Sequence, residues 1–439
     1  MTANDSSSIR HGNRAMPDPD IYDCEGHLTC MYGGGSQMTV LKNLNSAASY
    51  VRQRLTARQQ RKFIQRHASE LYQLPTGENR YKVALYFADE MVNAYQIRQW
   101  YEPLKHLAQH VPVVVITRRP DSALELREEC PLPIHYAPTI EDVEKLVNTQ
   151  DLRLVFYVNQ NIRNFQMMRF NSPDHVFISH GESEKAYMWS NQLKAYDYVF
   201  SAGQAARDRL DLHLRNFDAQ SRTRLIGRPQ IDVSYLAPYS LNTSLPTVLY
   251  APTWEGDRPS MQYGSVVSHG EKLVEALIKD GGFNVIFRPH PRSGVNSAAY
   301  GQAVGRIREK LATANATSAA RLLFDDTTHW GWQWSASDLC ITDISAVAYD
   351  FMATGKPMFV TTPVSKEATV TDSPALSKVP GLDSEASEDI CTLVRSALSE
   401  EDERLREVVE YYFGDVSPGA SMERFVSESL ALVEARAEG

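Results

Sequence analysis

From residue 81 onward the chain is a succession of short, continuous apolar runs. They fall at 82–88, 111–117, 154–158, 176–179 and 198–201, and then at 247–250, 284–287, 321–324, 339–342 and 358–361. None alternates strictly between apolar and polar residues. Strands buried on both faces read this way, and strands separated by helical stretches pair in parallel. The stretch 96–109 predicts a crossover helix, and 389–399, 401–412 and 421–437 predict helices at the end of the chain. Ile226-Gly227-Arg228-Pro229 closes the first series, and the polar stretch 234–246, with Pro238 and Pro246, reads as a connector. The pattern therefore predicts an α/β chain with two doubly wound domains, 79–233 and 247–439.

The N-terminal residues read differently. Residues 1–36 are rich in Ser, Asp, Gly and Pro and predict a disordered tail. Residues 37–78 predict a basic amphipathic helical segment: Leu41, Leu44, Ala48, Val51 and Leu55 fall on one helical face. Between Met38 and Ser69 there are seven Lys or Arg and no acid. Such a helix either lies on an anionic membrane surface or packs on the first domain with its basic face in water.

Charge narrows the partners. The net charge of −9 argues against general nucleic-acid binding. Five scattered cysteines fit a reducing compartment rather than a disulfide scaffold. No apolar stretch is long enough for a transmembrane helix, and the N-terminus lacks a signal-peptide core. The expected location is cytoplasmic, peripheral on the inner face of the cell membrane.

In open parallel sheets, ligands bind beyond the carboxyl ends of the strands. Four strand ends carry candidate chemistry. Ser179-His180-Gly181-Glu182 brings an imidazole, suited to proton transfer near neutral pH, beside a glycine. Tyr250-Ala251-Pro252-Thr253-Trp254 offers a hydroxyl and an indole in a proline turn. Arg288-Pro289-His290-Pro291-Arg292 places a histidine between two arginines in a stiffened loop, a pattern suited to phosphate. Thr342-Asp343-Ile344-Ser345-Ala346 leads from a strand into a helix, with Asp343 as the candidate N-cap and the hydroxyls of Thr342 and Ser345 as phosphate donors. There is no Walker A motif, Gly-x-Gly-x-x-Gly fingerprint or Gly-x-Ser-x-Gly elbow, and no metal cluster is expected.

Taken in order with Tyr196-Asp197-Tyr198 and Gly227-Arg228-Pro229, these segments resemble the CDP-glycerol glycerophosphotransferases of teichoic acid and capsule synthesis, over residues 80 to 430. The resemblance implies a GT-B fold, two Rossmann-like domains facing across a cleft, the first for the acceptor and the second for the CDP donor. It implies transfer of glycerol phosphate or another polyol phosphate to a hydroxyl of a glycan or lipid-linked acceptor, with release of CMP. On that resemblance His180, or Glu182 in its place, is the candidate base. His290, Arg288 and Arg292 hold the diphosphate, assisted by Thr253, Thr342, Asp343 and Ser345. The only ion expected is Mg²⁺ carried with the donor. Glu182 stands where the family has Thr, and Ala346 where it has a second Ser.

Overall fold

The computed structural model describes residues 59–60, 62–184, 186–327, 331–368, 375–400 and 403–437. The tail 1–36 and most of the basic segment 37–78 lie outside the described residues. Where that segment is described, Ile64 and Leu71 are buried in the core of the first lobe.

Two all-parallel sheets organise the rest. The first contains β1 (Val83–Phe87), β2 (Val113–Thr117), β3 (Ile134–Tyr136), β4 (Leu154–Tyr157), β5 (Asp174–Phe177), β6 (Tyr198–Ser201) and β7 (Thr223–Leu225), in the order β3-β2-β1-β4-β5-β6-β7. The second contains β8 (Thr247–Ala251), β9 (Asn284–Phe287), β10 (Leu322–Phe324), β11 (Leu339–Thr342), β12 (Met358–Thr361) and β13 (Gly381–Leu382), in the order β10-β9-β8-β11-β12-β13. Both follow the Rossmann order, in which the chain reverses direction across the sheet between its first and fourth strands. Those switch points lie at β1/β4 and β8/β11.

The central strands are buried throughout, which is why they read as unbroken apolar runs. The three strands that the pattern misses, β3, β7 and β13, all lie at sheet edges. They are two or three residues long and carry His135, Arg224 or Gly381 inside them.

The stretch 96–109 is not one helix. It divides into Tyr95–Arg98 and Tyr101–Leu107, with Gln99 and Trp100 between them. Pro103 has no N–H and would clash with the Gln99 carbonyl inside a continuous helix. Restarting at Tyr101 moves it into a first turn, where no N–H is needed.

The chain also returns to its beginning. Sequence order gives the helix Ala420–Ala435 to the second domain, but Met422, Phe425, Leu432 and Val433 are buried in the first lobe's core. Phe425 sits 5.4 Å from Trp100 and 5.8 Å from Phe156 between ring centroids. Asp232, just before the connector, fixes the start of this helix by accepting the N–H groups of Gly419 (3.1 Å) and Met422 (2.7 Å). Gly203, at the start of the helix Gln204–His213, allows a second crossing: a Cβ there would lie 2.4 Å from the Tyr412 carbonyl oxygen.

A buried ion pair joins the lobes. Arg228, beyond β7, donates from Nε to Asp350 Oδ1 (2.7 Å) and from Nη2 to Asp350 Oδ2 (3.2 Å) and Gln99 Oε1 (2.6 Å). Both charged side chains are 5% exposed. Removing one partner from such a pair costs roughly 3–5 kcal/mol, because the other charge is left buried.

Candidate active site

The first lobe contributes the loop after β5. Ser179 adopts a left-handed backbone (φ 57°), a conformation that non-glycine residues pay to enter. Two bonds hold it there: its carbonyl accepts the Trp100 indole N–H at 2.7 Å, and its hydroxyl donates to the Gly181 carbonyl at 3.0 Å. The resulting turn brings His180 Nδ1 to 3.0 Å from the Val158 carbonyl, just past β4. A carbonyl only accepts, so Nδ1 carries the proton, and Nε2 of the neutral ring is the basic nitrogen.

Gly181 continues the turn at φ 150°, and a Cβ there would lie 3.0 Å from the Ala346 Cβ of the second lobe. The small residue at 346 therefore lies at a close interlobe approach. Glu182 turns inward. Its carboxylate, 4% exposed, pairs with Arg209 and accepts the Ser183 N–H at 3.0 Å.

The second lobe contributes the loops after β8, β9 and β11. Glu255 ties two of them together by accepting the backbone N–H groups of Gly294 (2.9 Å), Asn296 (2.7 Å) and Ser297 (2.9 Å). Burial pushes the Glu255 carboxyl upward, but the amide bonds outweigh it and hold the group below its ordinary value. The loop so fixed carries His290, whose Nδ1 accepts the Arg292 backbone N–H at 3.1 Å. The neutral ring then keeps its proton on Nε2.

Trp254 supports both ends of this loop. Its ring stacks on His290 (centroids 6.2 Å, 23°), and the Arg292 guanidinium carbon lies 3.9 Å from the indole centroid. Arg288 is turned toward β10. Its guanidinium donates to Asp325 (2.5 Å) and to the Thr327 carbonyl (3.4 Å).

The β11 end departs from its expected arrangement. Asp343 does not cap the following helix. It is fully buried and accepts the N–H groups of Thr253 (2.7 Å) and Ser265 (3.1 Å) and the Thr361 hydroxyl (2.6 Å). Burial without a neighbouring cation raises its carboxyl to about 6. The Thr342 hydroxyl donates to the Ala251 carbonyl at 2.7 Å, so β8 occupies it. Ser345 is the residue that precedes the helix Ala346–Met352, and its buried hydroxyl oxygen makes no hydrogen bond. The reason is local: Asp343 binds two loop amides across the switch point, which fixes Thr253 rather than the helix start.

Tyr95 brings the two histidines together. Its ring meets His180 edge-on at 5.9 Å (87°) and His290 edge-on at 5.9 Å (71°). The cleft thus has one imidazole from each lobe, with Arg292 and Trp254 on the second. Sequence reasoning missed Tyr95 and Asp325 and gave Glu255 no role. Glu255 directly follows the Tyr-Ala-Pro-Thr-Trp segment, but neither Tyr95 nor Asp325 belongs to a recognisable motif. Among the described residues no group of three His, Cys, Asp or Glu is placed to hold a metal.

Two Rossmann sheets whose strand ends meet at a histidine-bearing cleft define a GT-B fold. Solved structures agree on the fold. A variant of the wall teichoic acid polymerase TagF matches with a TM-score of 0.58 at 12% identity, over 82% of this chain and 90% of that one. A second TagF structure matches at 0.55 and 13%, over 88% and 98%. A putative UDP-N-acetylglucosamine 2-epimerase from Listeria monocytogenes matches at 0.53 and 14%, over 82% and 97%. No curated protein matches the chain in sequence. Residues 79–428 match the CDP-glycerol:poly(glycerophosphate) glycerophosphotransferases, and the chain belongs to that family.

Proposed function

We propose that this transferase moves glycerol phosphate, or another polyol phosphate, from a CDP-activated donor to a hydroxyl of a cell-wall or capsule glycan, releasing CMP. The observation that carries this reading is the opposed bonding of the two histidines on one tyrosine, His180 Nδ1 to a carbonyl and His290 Nδ1 to a backbone N–H. His180 Nε2 takes the proton of the acceptor hydroxyl. That oxygen forms a bond to the glycerol-bearing phosphorus, and the bond from this phosphorus to the CMP oxygen breaks. His290 Nε2–H and the Arg292 guanidinium stabilise charge on the phosphoryl and departing oxygens, the main requirement of such a transfer. The Ser345 hydroxyl, buried and unbonded, is a further donor on the same side. The CDPG-soaked crystal of TagF supports a CDP-polyol donor.

Mg²⁺ enters, in this reading, with the diphosphate. The reaction is assigned to the cytoplasmic membrane face, with the basic stretch that precedes the packed residues Ile64 and Leu71 on anionic lipid. No helix among the described residues is long and apolar enough to cross a membrane. The test is nucleotide release by the purified chain given CDP-glycerol, CDP-ribitol or a nucleotide-sugar panel, each with a membrane acceptor extract. CMP from a CDP-polyol, dependent on acceptor, is the expected result. A nucleoside diphosphate released only from a sugar donor overturns the reading in favour of a sugar transferase.

A further inference from the structure

The first sheet has its own switch point, between β1 and β4, and a carboxylate stands there among neutral partners. Asp89 follows β1 by two residues and is half-buried. Its Oδ1 accepts the Glu90 N–H at 2.8 Å, and its Oδ2 accepts from Asn159 Nδ2 at 3.0 Å. The same Asn159 nitrogen donates to Gln96 Oε1 at 2.7 Å. Gln96 Nε2 in turn donates to the Tyr95 hydroxyl at 3.3 Å. The neighbouring Glu90 is neutralised by Arg119, but the Asp89 partners among the described residues are an amide side chain and a backbone N–H.

This network touches the catalytic cleft at two points. Asn159 directly follows Val158, whose carbonyl orients His180. Tyr95, at its other end, packs on both histidines. A carboxylate set among neutral amides repels phosphate and keeps lone pairs for hydroxyl donors. Two adjacent hydroxyls match the spacing of two carboxylate oxygens. Arg292 lies on the second lobe, and the Arg118 guanidinium on the first is turned to the Tyr86 hydroxyl, Gln166 and the Pro138 carbonyl.

We propose that Asp89, held by Asn159 and Gln96, binds the terminal vicinal diol of the acceptor and presents one of its hydroxyls to His180. The proposal rests on the transferase reading above. It adds a specificity-determining residue of the first lobe that contacts the acceptor terminus.

The test uses the full chain, CDP-glycerol and a synthetic oligo(glycerol phosphate) ending in a free diol. In Asp89→Asn and in Asp89→Ala the acceptor KM should rise roughly tenfold or more, as expected for a lost hydrogen bond to a charged group. The calorimetric Kd for CDP-glycerol should stay within about twofold of wild type, since the donor lies on the other lobe. An unchanged acceptor KM, or an equal loss of donor affinity, overturns the proposal. If the wild-type chain transfers nothing, saturation-transfer NMR with the same oligomer decides. Signal at the terminal glycerol protons that is lost in Asp89→Asn supports the subsite, and equal signal in both proteins overturns it. Failure of wild-type protein to bind CDP-glycerol counts against the donor reading alone.

Discussion

His180 and His290 are held in opposite tautomers on one tyrosine. The Val158 carbonyl accepts a hydrogen bond from His180 Nδ1–H, whereas the Arg292 backbone N–H occupies the His290 Nδ1 lone pair. The Nε2 atoms are therefore a base on one lobe and a donor on the other. Neither assignment needs a charged neighbour, because each is set by the one role that the bonded backbone group can play. The arrangement suits a reaction in which one oxygen loses a proton while another gathers charge.

The first consequence is a division of labour between the histidines. His180→Ala should reduce kcat by roughly 10²–10⁴-fold, the range of a lost general base. Its calorimetric affinity for CDP-glycerol should remain close to wild type. His290→Ala should lose donor affinity as well as turnover. If both variants lose affinity equally, His180 belongs to the donor site and the base lies elsewhere.

Arg292 should act on the donor. Its guanidinium lies over Trp254, and its ion-pair contact among the described residues is a long one, 3.5 Å to Asp257. Arg292→Ala should weaken CDP-glycerol binding by about tenfold or more, the value of a charge-assisted phosphate contact. Arg292→Lys should recover little of that loss, since an ammonium keeps the charge but not the planar stacking or the forked donors. Titration calorimetry with the three proteins separates these outcomes, and full recovery by Lys would reduce the role of Arg292 to simple charge.

Arg288 should be a stability residue before it is a binding residue. Its guanidinium pairs with Asp325, whose side chain is fully buried and also accepts from Gln333 Nε2 at 2.6 Å and the Thr327 hydroxyl at 2.7 Å. Arg288→Ala should cost about 2–3 kcal/mol in urea unfolding, below the ~3–5 kcal/mol of a pair with no other partners. Adding Asp325→Asn should restore part of that loss, because the stranded charge is removed. A double variant no more stable than the single one would assign the loss to packing.

How far the sequence revealed this architecture depended on where each signal lay. The central strands β1, β2, β4, β8, β9 and β11 are buried on both faces, and their apolar runs mark them plainly. The edge strands β3 and β13 give no such run, because they are only three and two residues long. His180, His290 and Arg292 were legible because strand ends are where parallel sheets expose chemistry. Asp89 obeys the same rule, directly after the 82–88 run, but stands outside the recognised motifs. Thr342 and Asp343 look like ligand groups in sequence, yet their side chains bind the protein itself. Tyr95 acts through contacts with residues 85 and 195 positions away, and a local pattern carries no trace of such contacts.

Asp343 offers a test through pH. It is fully buried, and its carboxyl is raised from 3.8 to about 6, first by desolvation, with bonds from Ser265, Thr361 and Thr253 opposing the rise. A carboxyl raised in the folded state binds its proton more tightly there than in the unfolded chain. Its contribution is therefore fully present below pH 3.8 and is lost as pH rises through about 6. Asp343→Asn cannot ionise, and its carbonyl oxygen can still accept the two backbone N–H groups while Thr361 reverses its hydroxyl. Measured against that variant at each pH, so that the other carboxylates cancel, wild type should lose up to about 3 kcal/mol between pH 4 and pH 7. Urea unfolding of both proteins at half-unit steps reads this difference directly. A difference that stays flat across the window would mean that the hydrogen bonds to Asp343 offset its burial and hold the carboxyl at its ordinary value.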